Sequence, residues 1–445
     1  MLARHSLAVI QVVSGSSPAN LGATTVYTPL LGGFAGTSVL RAEDVIPRPC
    51  SVRNIFLHIS TAPGLGATRT FTVLVNGAPT SVIWIIADDN TFGAFTGGDL
   101  DLAEGDIVEV KCNASGGPVD TGINRWGYEL ETAGDTTCLF FGSTGSGLNS
   151  YPTKFGGVLA QIAGWGRDID GAPAQCTNVM PIAGTVTGYR GYFRRGLPAG
   201  FLSGTFTIYK STDDGLTFIA QDGSGGTPDT RMTLVAIVNG SQQAVSFSLP
   251  VSRRDLLYMR WDVDDADGAQ WGCHMGVTFT SSEPNQWPYC GQANGGFSTS
   301  GDKYGPIFQP SPFAGENNAD DRASSEGGYS SFSLARGIFY APVVPGAGNS
   351  RILTVHKAGV DQSLSMTLSD TDHIAEDLIN TVAIEFGEAF GLHHTPVSGP
   401  AGSDISWGFV QDTSDVEPGG EIPGDLPILG EIGPYMVHHW PREIP

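Results

Sequence analysis

One unit is written three times in this chain, and that constrains the fold more than any other feature. Trp-Gly closes an apolar strand at Trp126-Gly127, Trp271-Gly272 and Trp407-Gly408. Apolar residues continue at alternate positions after each pair: Tyr128 and Leu130, then Met275, Val277 and Phe279, then Phe409. Upstream of each pair an Asp opens a strand, in Gly105-Asp106-Ile107-Val108, Arg254-Asp255-Leu256-Leu257 and Glu376-Asp377-Leu378-Ile379. Earlier still comes a strand that ends in a turn. It reads Phe71-Thr72-Val73-Leu74-Val75 before Asn76-Gly77, Phe206-Thr207-Ile208-Tyr209-Lys210 before Asp213-Asp214-Gly215, and Ile352-Leu353-Thr354-Val355-His356-Lys357 before Gly359. The corner Val45-Ile46-Pro47 returns as Val179-Met180-Pro181. A fourth pair, Trp165-Gly166, lacks these surroundings, so the dipeptide alone is not the signal.

The repeat is about 140 residues long, too long for a solenoid or propeller unit and the size of a domain that buries its own core. The expected architecture is all-β: three tandem homologous β-sandwich, jelly-roll-like domains at 1–133, 134–284 and 285–414, followed by an extended arm at 415–445. Gly (61) and Pro (28) recur through all three units, which is turn-rich sequence with few helix formers. Asn76-Gly77 has hairpin-turn chemistry. Val82-Ile83-Trp84-Ile85-Ile86 reads as a strand buried on both faces. Around Ile374 to Phe390 the β-branched content favours strand over helix. Trp126, Trp271 and Trp407 are expected at equivalent core positions, each beside a Gly that permits close backbone approach.

Composition narrows the partners. The formal charge is −22, which repels polyanions and anionic membrane surfaces, so neither nucleic acid nor membrane is an expected partner. The N-terminus lacks the uninterrupted apolar core of a signal peptide, which predicts synthesis in a host cytoplasm. Cys50, Cys112, Cys138, Cys176, Cys273 and Cys290 show no CxxC spacing and differ between the units, so they are expected to be reduced, small apolar residues.

The candidate chemistry is sparse. Asp262, Asp264, Asp265 and Asp267 crowd a loop ending at Gly268, a composition that suits Ca²⁺ although the EF-hand spacing fails. His393-His394 lies near Glu385 and Glu388, but adjacent strand residues face opposite ways and cannot easily share one ion. No GxSxG elbow or phosphate loop is present, and no catalytic residue recurs with the unit, so an enzyme is not expected. In the tail, Pro418, Pro423, Pro427, Pro434, Pro441 and Pro445 are interleaved with Gly and acidic residues, and the aromatic cluster Tyr435 to Trp440 lies near the end. That composition predicts an extended arm that docks on a neighbour.

Three stretches carry a family resemblance: Ile46-Pro47-Arg48-Pro49-Cys50-Ser51-Val52, Phe71 to Asn76-Gly77, and Ala103-Glu104-Gly105-Asp106. Their order of Pro, strand, Asn-Gly hairpin, Gly-Asp and strand resembles jelly-roll modules in virion proteins of tailed bacteriophages, of decoration, head-fibre or tail-fibre type. The resemblance implies a non-enzymatic protein on the exterior of a virion. It implies assembly as a homo-oligomer with other virion proteins, the major capsid or tail proteins. The alternative is an adhesin or receptor-binding fibre that binds a cell-surface glycan, with Trp165, Trp287 and Tyr289 stacking on sugar rings.

Overall fold

The structure is a computed structural model that describes residues 9–17, 21–31, 43–121, 124–134, 136–143, 153–159, 177–195, 202–263, 271–293, 300–307, 326–327 and 330–414. The expected arm at 415–445, Trp165, Cys176, Asp264, Asp265 and Asp267 all lie outside the described residues.

The strands fall into three consecutive groups. The first holds β1 (Val9–Ser17), β2 (Val26–Thr28), β3 (Asp44–Val45), β4 (Cys50–Ile59), β5 (Gly64–Val75), β6 (Ala78–Asp88), β7 (Phe92–Phe95), β8 (Leu100–Leu102), β9 (Ile107–Ser115) and β10 (Asn124–Thr132). The second holds β11 (Thr137–Ser143), β12 (Thr153–Gly156), β13 (Asn178–Val179), β14 (Gly184–Arg195), β15 (Leu202–Ser211), β16 (Ile219–Ala220), β17 (Met232–Ile237), β18 (Ser241–Val251), β19 (Leu256–Val263) and β20 (Trp271–Ser281). The third holds β21 (Gln286–Ala293), β22 (Lys303–Gly305), β23 (Glu326–Gly327), β24 (Phe332–Tyr340), β25 (Gly346–Lys357), β26 (Val360–Asp370), β27 (Ile374–Ile384), β28 (Ala389–Val397) and β29 (Ile405–Asp412). No α-helix occurs among the described residues.

Each group makes two antiparallel sheets with one strand order. One sheet of each group runs β1-β10-β4-β7, β11-β20-β14-β18 and β21-β29-β24-β27. The facing sheet runs β2-β9-β5-β6, β12-β19-β15-β16 and β22-β28-β25-β26, with β3, β13 and β23 added to β9, β19 and β28 respectively. The fold is therefore a tandem set of jelly-roll-like sandwiches. Two local devices recur with it. The strand after β3, β13 or β23 bulges in each group: the ladder shifts register at Asn54, between Val186 and Gly188, and at Arg336, with Asn54 and Arg336 at positive φ. A three-residue turn precedes β9, β19 and β28, and in it an acid accepts from the backbone N–H three residues back. The bonds are Ala103 N–H to Asp106, Ser252 N–H to Asp255 and Glu385 N–H to Glu388, each 2.8 Å.

That turn corrects the sequence alignment. The third acid is Glu388, whereas Asp377 sits in β27 and accepts from the N–H groups of Ile379 and Asn380. A Glu performs the same capping with one more methylene, which hides the repeat from residue matching.

The ladder register corrects the tryptophans as well. Trp126 lies opposite Gly15, and Trp407 opposite Gly291. At both glycines a Cβ would fall inside the facing indole, so the pairing requires Gly. In the middle unit the residue opposite the corresponding Gly142 is Met275. Trp271 stands four residues earlier on β20, opposite Arg195 of β14. The repeated element is thus a large apolar residue followed by Gly, written Trp-Gly, Met-Gly, Trp-Gly.

Two further expectations divide. Asn76 and Gly77 both take positive φ, 52° and 76°, as the hairpin composition demands. The stretch Val82 to Ile86 is an edge strand, not a doubly buried one. Val82, Trp84 and Ile86 point into the core, and Trp84 stacks on Phe71 at 5.2 Å, while Ile83 and Ile85 face outward and are exposed. Ile374–Ile384 is a strand.

Candidate functional site

The three groups are not beads on a string, because the first two press a Pro corner into the next unit and the third sets β23 against the first. Val45 and Pro47 pack on Gly276 of β20, where a Cβ would meet the Val45 carbonyl and the Pro47 ring. Val179 and Pro181 pack the same way on Gly408 of β29. β23, the counterpart of β3 and β13, lies against β1 and β10. The contacts run first to second, second to third and third back to first, so the units close a ring.

The acid-capped turns sit at the same joints. The second residue of each turn is Glu104, Arg253 or Phe386. Glu104 pairs with Arg190 of β14, Arg253 pairs with Glu376 of β27 at 2.6 Å, and Phe386 packs edge-on against Phe56 of β4, centroids 5.6 Å apart. The equivalent turn positions therefore meet the next unit through an acid–base pair, a base–acid pair and an aromatic pair, the middle partner Glu376 standing one strand over, opposite Ile338. Each combination mismatches the other two, so the joints specify their neighbours.

Buried amides clamp two of the joints. Gln11 donates to the Leu139 carbonyl (3.1 Å) and accepts from its N–H (3.0 Å). Gln411 does the same to Val12, at 2.9 and 3.2 Å. Val12 and Leu139 hold one ladder position, three residues before Gly15 and Gly142. The third such position is Pro288, which has no N–H to offer. That joint is closed instead by a separate apolar cluster of Val179, Leu256, Ile338 and Tyr340, with Phe218 and Ile374 packed against it. The first joint also buries Glu43, bridged by Arg194 at 2.9 Å. The Glu43 contact holds the Arg194 guanidinium above its ordinary value, while burial and the nearby Glu43 push the Glu109 carboxyl up.

The expected sites fare unequally. Asp262 is on β19, and its carboxylate takes both Nε and Nη2 of Arg260, at 3.0 and 2.8 Å. Trp287 and Tyr289 are buried on β21, Tyr289 hydrogen-bonded to Ser14 at 2.7 Å, so neither offers a face to a sugar. The five described cysteines are buried and unbridged. Burial raises the Cys50 thiol to about 12, with Asp106 adding to it, and lifts Cys138 and Cys273 far up, leaving protonated, unreactive thiols.

His393 and His394 do face opposite ways. His394 is fully buried beside Arg351 (3.3 Å), and burial together with that guanidinium lowers it to about 3. His393 points outward and joins two residues that sequence reading left apart, His356 of β25 and Asp361 of β26. Asp361 takes His356 Nδ1 at 2.7 Å and His393 Nδ1 at 2.9 Å. Burial would raise the Asp361 carboxyl, but the two imidazole hydrogen bonds outweigh it and hold it low. The three ligand atoms lie within 4.8 Å of one another, and no other such group occurs among the described residues. Only the register of three strands brings these residues together.

No protein-family model and no curated protein matches the chain. Similar solved structures include one described as the T13 IBDV viral particle, 10% identical over 91% of this chain and 77% of that one, with a TM-score of 0.18. Another is an archaeal virus protein described by its triple jelly roll fold and turret assembly, 9% identical over 91% and 90% of the two chains, with a TM-score of 0.17. Similarity this low carries no weight for fold or function.

Proposed function

We propose that the chain is a non-enzymatic structural protein displayed on a virus particle, as a capsid decoration, head-fibre or tail-associated component. In this reading its domains, 1–133, 134–284 and 285–414, act as one pre-assembled trimer-like block. The observation that carries the reading is the closed ring. Every feature written three times is a packing device: the capped turn, the bulge and the large residue facing Gly. Residues repeated for packing suit a building block. A ring with three related faces suits a site of threefold or pseudo-threefold symmetry on a larger assembly, where matched surfaces repeat. The proline-rich arm, 415–445, is then the anchor to a capsid or tail protein, since regular proline keeps it out of any central sheet.

Mass spectrometry and electron cryomicroscopy of purified particles test this. Three-lobed density at a threefold-related surface position, filled by one chain, is the expected result. Particles that lack the chain would end the proposal. Deleting residues 415–445 is expected to leave the melting temperature nearly unchanged and to abolish incorporation; normal incorporation would move the anchor into the ring.

A further inference from the structure

We propose that His356, Asp361 and His393 form a transition-metal site, of Zn²⁺ type, on the outer sheet of the third unit. Two imidazole nitrogens and one carboxylate oxygen are a common protein ligand set for Zn²⁺, with water completing the tetrahedron. An ion about 2.0–2.1 Å from each ligand holds its ligands about 3.3 Å apart. Asp361 already lies 2.7 and 2.9 Å from the two Nδ1 atoms, so a small outward rotation admits the ion.

The surroundings orient both rings. Tyr304 of β22 stacks on His393 at 4.5 Å with 10° between planes, and meets His356 edge-on at 5.1 Å. His393 Nε2 faces Thr395 Oγ1 at 3.3 Å and Asp302 at 3.6 Å. When the ion binds, a proton on Nε2, donated to that side, leaves the Nδ1 lone pair for the metal in place of the hydrogen bond to Asp361. Outer partners of this kind fix the tautomer of metal-binding histidines.

The repeat supplies an internal comparison. The ladders place His356, Asp361 and His393 at the positions of Leu74, Pro79 and Lys111 in the first unit. In the second they are Tyr209, Ala220 and Arg260. Both other units keep a fixed cation where His393 stands, and Arg260 lies over the Tyr209 ring at 5.9 Å. The third unit replaces that cation with an imidazole, paired with a second one around a carboxylate. A bound dication there would restore the positive charge and tie β25, β26 and β28 together.

The test is calorimetric titration of the full chain with ZnCl₂, in a His438→Ala, His439→Ala background that removes the other paired histidines. One ion per chain is expected, and the isotherm should vanish in Asp361→Asn and in His356→Gln. Co²⁺ substitution should give the visible absorption of a tetrahedral site, lost in the same variants. Unchanged melting of the metal-free variants would show that they fold. No binding to the background protein, or binding that survives both substitutions, would overturn the site and leave the triad as a hydrogen-bonded surface cluster.

Discussion

The strands at the centre of the ring and those at its rim share one backbone geometry and differ in what covers them. β10, β21 and β29 are buried on both faces along nearly their whole length. β6, β26 and β27 alternate, one face inward and one open. Each first sheet has two edges. The edge made by β1, β11 or β21 is covered by a strand of a neighbouring unit, whereas β18 and β27 are met only by a neighbour's turn, through Gln242 to the Gly105 carbonyl and Glu376 to Arg253. The central strands are therefore finished by residues from another unit. A sandwich of this size can bury a core alone, but here the outward face of each first sheet is also interior.

Substitutions should divide along that line. Trp407→Ala should have the largest effect, about 3–5 kcal/mol in chemical denaturation of the full chain, because a fully buried indole leaves a cavity and its bond to the Ile307 carbonyl (2.7 Å) is lost. A loss below about 1 kcal/mol would mean the ring centre repacks freely. Gln411→Ala should follow at about 2–3 kcal/mol, since it strips both partners from buried backbone groups of Val12. If unfolding is unaffected, water enters the joint and the clamp has no energetic role.

Acid should weaken both regions. His58 on β4 and His394 on β28 are each held near 3, mainly by burial and secondly by Arg125 and Arg351. Their folded values lie below the ordinary histidine value, so the unfolded chain binds more protons between about pH 6.5 and pH 3. Stability is complete above that window and falls through it, by up to about 1.4 kcal/mol per pH unit for each histidine. Melting at pH 7 and pH 5 checks the sign; a higher melting temperature at pH 5 would contradict it. Glu104→Gln should cost less than about 1 kcal/mol, because half-exposed ion pairs contribute little to stability even where they select partners. Smallest of all is Ile379→Ser at the rim, where the side chain is 91% exposed; a shift within about 0.5 kcal/mol is expected. A cost rivalling that of Trp407→Ala would erase the distinction between centre and rim.

The fold was legible wherever a local rule governed it. Asn76-Gly77 had to turn, the Pro corners had to break a strand, and alternation marked the sheets. Legibility failed where shape mattered more than residue identity. Met275 does the work of a tryptophan, and Glu388 the work of an aspartate, so matching letters put Trp271 and Asp377 in their places. Val82 to Ile86 misled because an apolar run has the same composition at an open edge as inside a sheet. The ring left no local trace, since Gln11 and Gln411 look like any strand glutamine until their partners are known. The His356, Asp361 and His393 cluster was hidden in the same way: adjacency in the sequence drew attention to His394, and adjacency in the sheet selected His356.

The amide clamp on Val12 has a consequence for how the molecule is made. Its two ends are 399 residues apart, one on the first described strand and one on the last. At about 5–20 residues per second, a ribosome takes roughly 20–80 s to deliver Gln411 after Val12 has emerged. Through that interval the opening strand lacks its final neighbour, while the first two sandwiches can already form. A chain that stops short of Gln411 keeps an open seam with Val12 exposed. Ring closure thus reports that the chain has been made as far as β29, and a product that stops earlier keeps the gap.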